Sequence, residues 1–124
     1  MTQMLASVAD AEEAALVARG GADIVDLKDP SRGAIAAVSP EIAAQAVRAV
    51  GGQARTSATL GDPPYEAEAL VARARAFKQA GVGMLKLALD GAALEALSAP
   101  LAQLAREIPL VGMMFADKAP DFEL

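Results

Sequence analysis

Two lysines, Lys28 and Lys86, occupy matching places in the chain. Lys28 closes the segment DIVDLK (23–28) and Lys86 interrupts GMLKLAL (83–89), each otherwise a short aliphatic run. Burying a charge is costly unless it is paired or used. A lysine kept neutral by desolvation or by a second cation attacks carbonyl carbon and forms a Schiff base. For either lysine alone an ordinary ion pair is the competing reading, with Asp26 or Asp29 as partner for Lys28. Two lysines in matched positions strengthen the catalytic reading.

Other groups lie within reach of such chemistry. Asp26, Asp62 and Asp117 stand at or just after the ends of apolar runs, where carboxylates shuttle protons or orient a lysine. Asp26 shares strand parity with Lys28 and is expected to be its nearest charge partner. Asp62 lies in GDPP, where Asp equally serves as a turn residue. Ser7, Ser57 and Thr59 offer hydroxyls to a substrate, or simply to neighbouring strands. Arg32 and Gly33, in SRG (31–33), are a weak candidate for contacting phosphate.

The 124 residues contain no cysteine and no histidine. Disulfides, thiolate metal sites, a cysteine nucleophile and a Ser-His-Asp triad are thereby excluded. Neither a GxGxxG nor a GxxxxGK[ST] sequence is present, so dinucleotide and nucleoside triphosphate binding have no support. The expectation is a site with no metal and no cofactor. A net charge of −5 without a basic stripe argues against nucleic acid or an anionic membrane as partner. No apolar run approaches the roughly 18 residues of a membrane span. The N-terminus lacks a basic start and a long apolar stretch, so the expected location is the cytoplasm.

The elements that must hold these residues alternate. MLASV (4–8), DIVDLK (23–28), ARTSATL (54–60), GMLKLAL (83–89) and PLVGMMFA (109–116) read as strands. Helices are predicted over 9–19, 40–50, 66–80 and 92–107, the last with a break near Ser98 and Pro100. Asp10 with Glu13 forms a capping box, and Ser39 caps Pro40. Such βα alternation specifies a parallel sheet, in an open sheet or in part of an eight-stranded barrel. Along each strand one parity is mostly apolar, as in Val25 and Leu27 or Leu85, Leu87 and Leu89. The other turns polar toward the C-terminal end, with Asp26, Lys28, Ser57, Thr59 and Lys86. An open sheet covered on both faces is apolar on both, so the pattern favours the barrel.

The stretches GGADIVDLKDPSRGAIAA (20–37), TSATLGDPPY (56–65) and GMLKLAL (83–89) resemble the (5-formylfuran-3-yl)methyl phosphate synthase family, also called 4-(hydroxymethyl)-2-furancarboxaldehyde phosphate synthase. The resemblance runs in order along nearly the whole chain. It implies a TIM barrel that condenses two molecules of glyceraldehyde 3-phosphate into a phosphorylated furan aldehyde for methanofuran-type carriers. It implies a metal-free mechanism like that of a class I aldolase, a lyase chemistry, with Lys28 as the Schiff-base lysine and Lys86 as a second active-site lysine. The family's GxLGA stretch reads GAIAA here. The family also carries an aspartate and a further lysine on a sixth strand, beyond the five seen in this sequence. Residues 1–124 are therefore expected to form a single domain, an incomplete barrel with two open edges. Such a chain is expected to be inactive alone and to need an oligomer or partner chain. Two other readings stay open: another phosphosugar aldolase or epimerase, and a non-catalytic half-barrel serving assembly.

Overall fold

The computed structural model describes residues 2–89 and 91–114, without side-chain detail at 91–94. Five strands alternate with four helices: β1 (Leu5–Val8), α1 (Ala11–Arg19), β2 (Ile24–Leu27), α2 (Pro40–Val50), β3 (Arg55–Thr59), α3 (Ala67–Gln79), β4 (Met84–Ala88), α4 (Gly91–Glu107) and β5 (Leu110–Met113). The strands form one parallel sheet in the order β1-β2-β3-β4-β5. Each strand pairs with its predecessor, and the buried residues of the helices share one core with the apolar face of the sheet. Each helix packs against the next. This is the arrangement of five consecutive strands and four helices of a (β/α)8 barrel.

Local chemistry sets the helix ends. The Asp10 carboxylate accepts from the Glu13 amide at 2.8 Å, and the Glu13 side chain accepts from Ala9 N at 3.4 Å, one residue before the capping-box position. Ser39 Oγ accepts from the Ile42 amide at 3.2 Å beside Pro40, which needs no amide partner in the first turn. Gly51 closes α2 in the left-handed region at φ 59°, where a side chain would be strained.

The expected break in the last helix is absent: α4 runs through Pro100. Leu97, Leu101 and Leu104 keep helical spacing on both sides of the proline, and Leu97 and Leu104 are buried. Packing of that stripe against the sheet outweighs the lost hydrogen bond.

The two sheet faces differ as strand parity requires. Val25, Leu27, Ala58, Leu60, Leu85 and Leu87 lie on the helix-covered face and are almost fully buried. Phe77 on α3, the largest fully buried side chain among the described residues, packs into the same core. The inner face is more open: Leu5 is 44% and Val111 40% exposed. No helix among the described residues is long and apolar enough to cross a membrane.

Candidate active site

Parallel register builds the site row by row. Ser7, Asp26 and Ser57 are direct neighbours on β1, β2 and β3. Thr59 and Lys86 are neighbours one row further toward the C-terminal strand ends. Lys28 lies just past β2, its amide donating to Val8 O at 3.0 Å and so carrying the ladder onward. Parity places it on the Asp26 face. With strands about 4.8 Å apart, the backbones at Lys28 and Lys86 are separated by two strand spacings.

Asp26 is the hub of this face. Only 1% of it is exposed. Ser57 Oγ donates to its Oδ1 at 2.6 Å, Ser7 Oγ to its Oδ2 at 3.4 Å, and Lys86 Nζ to Oδ2 at 3.3 Å. The Lys86 side chain, 17% exposed, leans back over β3 to reach it. The parity expectation that Asp26 pairs with Lys28 is thus corrected. Lys28 and Asp26 follow one another along a single strand, whereas Lys86 is long enough to cross β3 diagonally. Asp29 is not the partner of Lys28 either: it accepts from Ser31 and Arg32. Among the described residues the half-buried Lys28 side chain has neither a hydrogen-bond nor an ion-pair partner.

The segment linking β2 to α2 folds over this end of the sheet. Asp29 N donates to Ala36 O at 2.7 Å, and Thr59 Oγ1 reaches Ala36 O at 3.3 Å and Leu27 O at 3.4 Å. Ile35, Ala36, Ala37 and Val38 of this segment are buried. Arg32 serves this loop: its Nε meets Asp29 at 2.9 Å and its Nη2 donates to Ala37 O at 2.6 Å. The hydrogen bond from the Ser31 hydroxyl, aided by Arg32, holds the Asp29 carboxyl below its ordinary value of 3.8.

Asp62 is exposed and sits against Gly33, where a Cβ would collide with its carboxylate. An exposed aspartate can swing aside, so the contact records close packing of the two loops. Asp117 lies outside the described residues. The structure therefore joins Ser7, Asp26, Ser57 and Lys86 directly, sets Thr59 under the loop, and leaves Asp62 at its edge.

Two residues gain roles that sequence reasoning did not assign. Tyr65 donates to Gly61 O at 2.7 Å and accepts from Ala88 N at 2.9 Å, tying the turn after β3 to the end of β4. Arg73 Nη1 donates to Leu60 O at 2.8 Å. The available signal for Arg73 was its position beside the buried stripe of Leu70, Ala74 and Phe77.

Among the described residues no group of three or more acidic, histidine or cysteine side chains is arranged to hold a metal ion. A cavity of about 420 Å³ lies at the opposite, N-terminal end of the strands, against Val47, Val50, Arg55, Gly81 and Met84. In barrels of this kind that end contributes stability, and chemistry sits at the C-terminal end.

A protein of Methylorubrum extorquens, provisionally named (5-formylfuran-3-yl)methyl phosphate synthase, is 40% identical over 118 residues, 93% of this chain and 47% of that protein. The (5-formylfuran-3-yl)methyl phosphate synthase of Methanosarcina barkeri is 37% identical over 87 residues, 70% of this chain and 37% of that protein. The chain thus spans about half or less of the length of these relatives. In fold it resembles a provisionally assigned phosphonomutase from Burkholderia cenocepacia, with a TM-score of 0.68 at 18% identity over 90% of this chain and 53% of that one. The model of the 4-HFC-P synthase family matches residues 4–124, and the chain belongs to that family.

Proposed function

We propose that Lys28, Lys86 and Asp26 form part of the active site of a (5-formylfuran-3-yl)methyl phosphate synthase. The reaction is the condensation of two molecules of glyceraldehyde 3-phosphate, with loss of phosphate and water, toward a methanofuran-type cofactor. One observation carries the assignment of roles: the two lysines are in different states of engagement. Lys86 is tied to Asp26, while Lys28 has no side-chain partner among the described residues. An ammonium held in an ion pair is a poor nucleophile, and a half-buried amine without a partner is a better one. In this reading Lys28 Nζ attacks the aldehyde carbon of the triose and the carbinolamine loses water to give an imine. Lys86, positioned by Asp26, moves protons on the adduct.

The test is trapping. The full-length protein is incubated with glyceraldehyde 3-phosphate and borohydride and mapped by mass spectrometry. A reduced adduct on Lys28 is expected, and it is lost in Lys28→Ala. An adduct that persists undiminished in Lys28→Ala, or no adduct at all, overturns the assignment.

A separate observation favours an assembly. The edge strands β1 and β5 each pair on one side only among the described residues, and Leu5 and Val111 on the inner face are exposed. Open edges and apolar surface of this kind recruit further strands. We propose that a partner chain or a second copy covers them. Light scattering of the isolated chain should give a mass above that of a monomer, and a monodisperse monomer overturns this reading.

A further inference from the structure

Resting on the reading of Lys28 and Lys86 as the working amines, we propose that Ser57 is a positioning residue for Lys86. It acts through Asp26 and does not bind substrate.

Three observations carry this. The Ser57 Oγ to Asp26 Oδ1 distance, 2.6 Å, is that of a charge-assisted hydroxyl–carboxylate hydrogen bond. The other two contacts to Asp26, from Ser7 at 3.4 Å and Lys86 at 3.3 Å, are long. Ser57 is therefore the tightest tether on the carboxylate. Second, the terminal torsion of an aspartate is broad and roughly two-fold, so the side chain's own preference does not fix which oxygen faces Lys86. Holding Oδ1 on β3 turns Oδ2 toward the ammonium. Third, Ser57 is 1% exposed and its hydroxyl proton is engaged by Asp26, which leaves no surface for a substrate. Asp26 supplies the one hydrogen bond to the Lys86 ammonium among the described residues, so releasing the carboxylate releases the lysine.

The experiment reads the amines directly and does not depend on turnover. The chain is treated at pH 8 with an amine-acylating reagent, and the rates at Lys28 and Lys86 are followed separately by mass spectrometry. In Ser57→Ala the Lys86 rate should rise about fivefold, the factor to which one hydrogen bond of ordinary net strength converts. Lys28 should keep its rate. In an Asp26→Asn background Ser57→Ala should have no further effect on Lys86. If Ser57→Ala does not fold, Ser57→Cys keeps the shape with a weaker donor and must still raise the Lys86 rate above that of the native chain. An unchanged Lys86 rate overturns the proposal. So does an equal rise at both lysines, or the same rise with and without the Asp26 carboxylate. Because imine trapping at Lys28 is a separate readout, failure here and failure of the synthase reading are distinguishable.

Discussion

Replacing Lys86 with methionine should destabilise the chain more than replacing Asp26 with asparagine, although both break the same ion pair. At 3.3 Å the attraction is about 5 kcal/mol at an effective dielectric constant of about 20, before desolvation is subtracted. The partners differ in what remains after the cut. Asp26 is 1% exposed and cannot reach water, so Lys86→Met strands a buried carboxylate. Loss of one partner of a buried pair typically costs about 3–5 kcal/mol. Here the Ser57 and Ser7 hydroxyls still serve the carboxylate, which lowers the expected cost to about 2–3 kcal/mol. Asp26→Asn instead frees a lysine whose side chain is already 17% exposed and can swing along the open inner face. That loss should stay near 1 kcal/mol. In the double variant Lys86→Met strands nothing, so the two changes should couple by at least about 1 kcal/mol. Urea unfolding of the chain, its two single variants and the double variant, followed by circular dichroism at neutral pH, measures all three quantities. Additivity within about 0.3 kcal/mol, or a larger loss for Asp26→Asn than for Lys86→Met, would refute the reasoning.

Other outcomes follow from packing and charge. Phe77→Ala should cost about 3–5 kcal/mol in the same unfolding assay, because Phe77 has no exposed surface and truncation leaves a cavity under the sheet. Pro100→Ala should raise stability by about 1–3 kcal/mol, since alanine restores an interior helical hydrogen bond and removes the ring clash. The folded-state pKa of Asp29 lies below 3.8, so its contribution is present above that pH and is lost as pH falls through the lower folded value. Protection of the Ser31 amide, which donates to the Asp29 carboxylate, should fall relative to the intrinsic exchange rate at each pH only in that acid window; a loss of protection beginning well above pH 3.8 would contradict the hydrogen bonding described.

Much of the architecture could be read from period-two alternation. Val25 and Leu27 had to face helices and Asp26 the other side; the first two join the hydrophobic core, and Asp26 meets Ser7, Ser57 and Lys86. Periodicity assigns a face but not a neighbour. That Ser7, Asp26 and Ser57 fall in one row depends on the inter-strand register, which a single sequence does not encode locally. The partner of Asp26 was misread for the same reason: parity sees along a strand, and Lys86 arrives from two strands away. The continuity of α4 was missed because a local penalty at Pro100 is easier to see than burial of Leu97 and Leu104. Thr59 drew attention as a hydroxyl, but its carbonyl partners belong to a loop whose path no short-range pattern describes.

The strand order has a kinetic meaning. With every strand docked on its predecessor, each backbone pairing spans one βα unit, and the loop closed at each addition stays short. Ser7, Asp26, Ser57 and Lys86 lie on β1, β2, β3 and β4 in turn. As the chain leaves the ribosome, a hydroxyl is in place before the carboxylate that needs it. A second hydroxyl follows, and the cation comes last. The buried acid is therefore never synthesised ahead of its first donor, and its charge waits only for β4 to close the circuit.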